Sequence, residues 1–144
     1  MNVHVTDVWR HDLVFDVTLP QGETLTLASV PAAERPGPGP SPMEAVLGAL
    51  AGCSGMDAVA ILKKMKKDIT SFRIEVDGER AEEHPRAFTE IRLTYHLDGP
   101  EIDAASALRA VQLSQDKYCS VAAMLRPAVK LDWTLVLNGE TLGK

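Results

Sequence analysis

Between Ala45 and Met56 the chain reads AVLGALAGCSGM, twelve residues without a charge and without a side on which polar groups gather. A helix of that composition offers no face to water and is expected to be covered all round. Gly48, Gly52 and Gly55 each cost about 1 kcal/mol against alanine in a helix interior, so their presence calls for a compensating close approach. Gly48 and Gly52 lie one turn apart, with Ala45 and Ala49 beside them, which lets a neighbouring helix or backbone come near. A domain of this size has few elements with which to surround such a helix, so a second copy of the chain is the expected source of cover, giving a homodimer. The helix start is well marked. Ser41 stands as N-cap, Pro42 as first helical residue and Glu44 three residues after the cap, a capping box. Lys63, Lys64, Lys66 and Lys67 suit the negative end of the helix dipole.

The segments on either side set the fold class. NVHVTDVW, DLVFDVTL and TLTLAS are β-branched or alternating runs separated by turn residues, and predict three strands joined as hairpins. The Pro- and Gly-dense VPAAERPGPGP then leaves the sheet. After the helix, SFRIEVDGER and RAFTEIRLTYHL predict two more strands around the charged AEEHP. IDAASALRAVQLSQDKYCSVAAMLR is helical in composition, with a break at SQDKY before a shorter helix that begins near Cys119 and stops at Pro127. VKLDWTLVLNG supplies a last strand that buries Leu131, Trp133 and Leu135 or their neighbours, and Asn138-Gly139 marks a turn. The order β-β-β-α-β-β-α-β, with strands in runs, predicts one α+β domain over residues 1–144, built on antiparallel sheets around a long central helix and a second helical segment.

Composition excludes several functions. The 144 residues, 45% hydrophobic and 24% charged, carry a net charge of −5, which argues against nucleic acid as a partner. The uncharged helical run is too short to span a bilayer and no secretion signal opens the chain, so a cytoplasmic protein with no membrane contact is expected. Two cysteines so far apart, and His4, His11, His84 and His96 without ligand spacing, predict no metal site and no cofactor.

The thiols remain. A free cysteine in an apolar helix, such as Cys53, is in most cases an inert core residue. Cys119 sits where a helix begins, and free N–H groups there favour thiolate over thiol. A pair of such thiols suits a redox cycle in which one is oxidised to sulfenic acid and the other condenses with it. Their spacing does not show that they meet, so two inert thiols stay open. Asp57, one turn after Cys53, reads as solvent-facing or salt-bridged. Tyr118 reads as partly buried, and Met43, Met56, Met65 and Met124 as packing residues.

PSPMEAVLGALAGCSGMDAVAILKK, the strand pair around ERAEEHPRAFTEI and LSQDKYCSVAAML together resemble the OsmC/Ohr family of osmotically inducible and organic hydroperoxide resistance proteins. The resemblance covers most of the chain and is nearest to the OsmC-like branch, with KYCS where better-studied members carry CPYS. It implies an intertwined α+β homodimer with its active site at the subunit interface, and a thiol-dependent peroxidase acting on organic hydroperoxides. Cys53 then takes the peroxidatic place and Cys119 the resolving one. The family's arginine, which holds the peroxidatic thiolate, corresponds to Arg35; the other reading of Arg35 is a solvated residue pairing with Glu34. The family's glutamate falls on Met43. Glu44 is one residue later, has a capping role of its own, and lies about 13 Å along the helix from Cys53 on the opposite side.

The resemblance thus implies catalytic roles for Cys53, Cys119, Arg35 and Glu44, an organic hydroperoxide substrate, an external dithiol reductant, and neither metal nor flavin. Met43 at the glutamate position supports an alternative, a dimeric protein that binds a hydrophobic small molecule with little peroxidase activity.

Overall fold

The computed structural model describes residues 1–143, which form two compact units, Met1–Val46 and the chain from Leu47 onward. In the first unit β1 (Thr6–His11), β2 (Val14–Thr18) and β3 (Thr24–Ala28) make an antiparallel meander. Period-2 alternation puts Trp9, Phe15, Val17, Leu25 and Leu27 on one face, in the register Trp9↔Phe15↔Leu27. Val17 on that face is buried, while Trp9, Phe15 and Leu25 remain 61%, 42% and 40% exposed. The Pro- and Gly-rich loop is tied to β3, where the Ala28 N–H donates to the Pro40 carbonyl at 2.9 Å. Gly39 is obligatory there, because a Cβ would stand 2.1 Å from the Thr26 carbonyl oxygen.

The central helix α1 (Pro42–Lys64) starts as its capping box requires: Glu44 N–H donates to Ser41 Oγ at 3.1 Å and Ser41 N–H to Glu44 Oε1 at 3.0 Å. It is not covered all round. Leu50, Ser54, Gly55, Ala58 and Leu62 make one buried stripe, whereas Met56 is 76% exposed and, among the described residues, nothing lies within 4 Å of where Cβ atoms on Gly48 or Gly52 would be. Uniform apolar composition hides which face packs; contact with the sheet decides it. Gly55 alone of the three makes the expected close approach, since a Cβ there would come within 2.9 Å of Ile74 Cδ1. At 23 residues the helix is also longer than its uncharged run, and by length and composition alone it would reach across a membrane.

The second unit holds a four-stranded sheet in the order β4 (Ser71–Arg80), β5 (Phe88–Asp98), β6 (Lys130–Leu137), β7 (Glu140–Leu142). β4 with β5 and β6 with β7 are antiparallel, but β5 and β6 pair in parallel, Ile91↔Leu131 through Leu97↔Leu137. The expectation of wholly antiparallel sheets is corrected at this pair. The helical segment between them returns the chain to the end from which β5 started, and such a crossover can only produce a parallel neighbour. Ile91, Leu93, Tyr95 and Leu97 of β5 and Leu131, Leu135 and Leu137 of β6 form the buried face, with Trp133 half-buried. α2 (Ala104–Leu113) begins at Asp103, which accepts from Ser106 N–H at 3.0 Å, and buries Ala107, Ala110 and Val111. The break read at SQDKY is a single turn of π-helix, Ser114–Tyr118, and α3 (Ser120–Leu125) comes next with Cys119 as its N-cap. Asn138 and Gly139, both at positive φ, turn the chain from β6 into β7.

Met56 and Met124, read as packing residues, are 76% and 71% exposed.

Candidate functional site

Cys53 and Asp57 lie four residues apart on α1 and so project from one side of it. Cys119 comes to them from the crossover. The π-turn closes with Cys119 N–H donating to the Ser114 carbonyl at 2.8 Å, which places the thiol at the mouth of α3. π-turns recur at functional sites because the extra residue re-aims the side chains beyond it. The Cys53 and Cys119 sulfurs and an Asp57 carboxylate oxygen all lie within 4.8 Å of one another. Both cysteines are free, Cys53 half-buried and Cys119 buried.

Position at a helix start does not make Cys119 acidic. Its sulfur accepts from Ala122 N–H at 3.4 Å, which favours thiolate, yet burial outweighs this, and with Cys53 beside it the Cys119 thiol is pushed up to about 11. The expectation of a Cys119 readily ionised by the helix is corrected by desolvation.

Asp57 is not a solvent-facing carboxylate. It is half-buried, and its Oδ2 accepts from Ser114 Oγ at 3.0 Å. Behind it runs a buried polar chain. Ser114 Oγ is 2.9 Å from Ser54 Oγ, Ser54 Oγ is 2.6 Å from the Tyr95 hydroxyl, and Gln115 Nε2 donates to that hydroxyl at 2.6 Å. Gln115 Oε1 in turn accepts from Arg126 Nη2 at 3.1 Å. Gln115 can only donate from its nitrogen and Asp57 can only accept, so one assignment runs through: Gln115 to Tyr95 to Ser54 to Ser114 to Asp57. Each hydroxyl passes its single proton forward, from a guanidinium at one end to a carboxylate at the other. Among the described residues no buried side-chain nitrogen or oxygen lacks a partner, although Ser54, Tyr95 and Ser114 are wholly buried. Burial dominates the Tyr95 hydroxyl and raises its pKa, which keeps it a neutral donor. None of Ser54, Tyr95, Ser114 and Gln115 was singled out by sequence. The one available signal was Ser54, the single hydroxyl in the uncharged run from Ala45 to Met56.

Arg35 and Glu44 belong to the first unit and pair there. Arg35 Nη2 donates to Glu44 Oε1 at 2.8 Å and Oε2 at 2.7 Å, so the partner of Arg35 is Glu44 and not Glu34. The guanidinium, helped by Ser41, holds the Glu44 carboxyl down at about 2. Glu44 thus serves the capping box and the ion pair together.

Two cavities of the second unit flank the cysteine-bearing part of α1. An open apolar groove of about 610 Å³ is lined by Gly52, Met56, Val59, Phe72 and Ile74 among others. A smaller one of about 170 Å³ lies against Asp57, between Ala60, Ile61, Lys64 and Tyr118. Tyr118 is 51% exposed rather than partly buried, its ring 5.3 Å from the Lys117 ammonium.

Such a fold, an α+β chain that delivers two thiols and a carboxylate from a central helix and a crossover, defines a thiol-bearing class of small protein. The chain belongs to the OsmC-like protein family, whose family model matches residues 35–134. It is 48% identical over 92 residues to protein YhfA of Escherichia coli strain K12, covering 64% of this chain and 69% of that protein. Among solved structures it is similar to a hypothetical protein from Aquifex aeolicus VF5, with a TM-score of 0.81, 29% identity, and 96% and 98% of the two chains covered. The organic hydroperoxide resistance protein OhrB of Bacillus subtilis shares the fold, with a TM-score of 0.64, 19% identity, and 94% and 98% covered.

Proposed function

We propose that the chain is a two-cysteine thiol peroxidase that reduces organic hydroperoxides. The observation that carries the reading is the meeting of Cys53, half-buried, with Cys119, buried, at sulfur positions within 4.8 Å. In this reading the Cys53 thiolate attacks the terminal peroxide oxygen, the O–O bond breaks, and the alkoxide leaves as alcohol after taking a proton. Cys53 is then a sulfenic acid. Cys119 sulfur attacks it, the S–O bond breaks, water leaves and a disulfide remains. An external dithiol returns both thiols by exchange. Burial of Cys119 suits the second role, since a thiol shielded from solvent and held protonated is not spent on peroxide before Cys53 is oxidised. The hydroperoxide resistance of the OhrB protein supports the class of substrate.

The roles of Arg35 and Glu44, steadying a thiolate, are part of the proposal, and their bidentate pairing supports it. So is assembly as a homodimer, implied by the family resemblance and supported by two uncovered apolar surfaces: the Trp9, Phe15 and Leu25 face, and the Gly52 and Met56 side of α1. A cytoplasmic place and the absence of nucleic-acid and membrane partners belong to the same reading.

The test is anaerobic reduction, addition of cumene hydroperoxide and counting of thiols against time. Wild type should lose two thiols per peroxide. Cys53→Ser should consume none, and Cys119→Ser should consume one per chain and stall as a trappable sulfenic acid. Oxidation of wild type and both variants at the slow rate of an ordinary thiol would refute the enzyme. A second reading, a dimeric protein binding a hydrophobic small molecule, is favoured by the apolar groove along α1 and β4 and by Met43 at the glutamate position. It predicts protection from thermal unfolding by such a ligand without peroxide consumption.

A further inference from the structure

The donor set at the thiol pair has a second use that needs no peroxide. We propose that Cys53, Asp57 and Cys119 form a site for one thiophilic divalent cation of the zinc type, bound by two sulfurs and one carboxylate oxygen with a fourth position open to water. The three donor atoms already lie within 4.8 Å of one another. Tetrahedral zinc, with bonds of about 2.3 Å to sulfur and 2.0–2.2 Å to oxygen, sets its donors about 3.5–3.8 Å apart, so closure requires a contraction of only about 1 Å. A disulfide asks for more, since its sulfurs stand about 2.05 Å apart.

The ligands are carried on rigid elements. Cys53 and Asp57 share one face of α1, and Cys119 is fixed by the π-turn and by its place at the start of α3. The carboxylate is oriented from behind in the manner of metal centres, where ligands are held by hydrogen bonds from outside the coordination sphere. Wholly buried Ser114 donates to Asp57 Oδ2, which leaves Oδ1 free, and the chain through Ser54, Tyr95 and Gln115 directs its protons towards this carboxylate. A carboxylate beside two thiols becomes a ligand when a dication is present. A cavity of about 170 Å³, lined by Lys64 and Tyr118 among others, lies against Asp57. Two thiolates and a carboxylate match soft, d10 ions and not magnesium or calcium. Binding is a simple exchange: the two S–H protons leave to solvent, two metal–sulfur bonds form, and nothing is oxidised. A cation so held masks both thiols, so the metal-bound and disulfide forms exclude each other.

The experiment titrates the anaerobically reduced full chain with Cd2+ and tracks the ultraviolet thiolate-to-cadmium charge-transfer band. The expected result is saturation at one cadmium per chain with two protons released, Zn2+ competing for the same site, and no band from protein oxidised to the disulfide. Asp57→Asn should keep the band and weaken binding at least tenfold, and Ser114→Ala should weaken it by about ten- to a hundredfold. Should either variant fail to fold, the comparison of reduced with oxidised wild type still decides. Absence of a saturable band, a band that survives oxidation, or equal affinity in a folded Asp57→Asn would overturn the proposal. The oxidised sample is made with diamide and checked for loss of both thiols, so that failure of the peroxidase reading leaves these readouts untouched.

Discussion

Replacing Tyr95 with Phe removes one oxygen atom from the middle of the buried chain and nothing else. The ring stays, with its stacked contact to Phe72 and its edge contact to Trp133 at centroid distances of 6.3 and 6.2 Å. Two hydrogen bonds of 2.6 Å go, one to Ser54 Oγ and one from Gln115 Nε2. Each is worth about 1 kcal/mol net, and a buried donor left without a partner costs about 1–3 kcal/mol. Gln115 Nε2 is still 3.3 Å from Ser54 Oγ, which moderates the second cost. The expected loss is therefore about 1–3 kcal/mol, or roughly 3–10 °C in melting temperature for a chain of this length. Urea unfolding at one fixed protein concentration should show the midpoint fall with the slope unchanged. Tyr118→Phe, at an exposed ring, is the control and should shift stability by no more than about 0.5 kcal/mol. A Tyr95→Phe midpoint equal to that of the control would refute the account of a continuous, directed network.

Gly39→Ala should be among the most destabilising alanine substitutions in the first unit, because its methyl would meet the Thr26 carbonyl oxygen at 2.1 Å and the loop would have to leave β3; loss of proteolytic resistance between residues 31 and 41 reads this out. Leu62→Ala, at a wholly buried position on α1, should cost about 2–5 kcal/mol in the same urea assay. The Arg35–Glu44 pair gives a pH signature. Because the folded carboxyl is held at about 2, below the ordinary carboxylate range, its contribution is present above that range and is lost as pH falls through about 2. The stability difference between wild type and Glu44→Gln should therefore shrink on acidification from pH 5 towards pH 2, and added salt should shrink it at neutral pH.

The legible features of the sequence are the local ones. The capping box of Ser41 and Glu44 is a four-residue signal and appears atom for atom in the structure. The Asn138-Gly139 turn and the break at SQDKY are equally short-range. The parallel pairing of β5 and β6 was not legible, because strand direction depends on where the intervening segment sends the chain and not on the strand's own alternation. Nor was the buried face of α1, since a helix with no polar side gives periodicity nothing to detect. At the site, the motif resemblance named both cysteines, but Asp57, Ser114 and Tyr95 come from three separate elements and acquire their roles only by meeting. Cys119 shows the limit of a local rule: the helix start is as expected, and desolvation decides the thiol.

The parallel β5–β6 pair has a kinetic consequence. Cys53 is complete in its helix as soon as local structure forms, whereas Cys119 reaches it only when the crossover has laid β6 beside β5, a contact between distant parts of the sequence. Such pairings form late, after the entropy of closing a long loop has been met. On that order of events, a refolding chain would hold the first thiol before its neighbour arrives. In the proposed function, closure of a Cys53–Cys119 disulfide therefore reports that the second unit is complete, and during refolding under mild oxidation it should not run ahead of the assembly of that sheet.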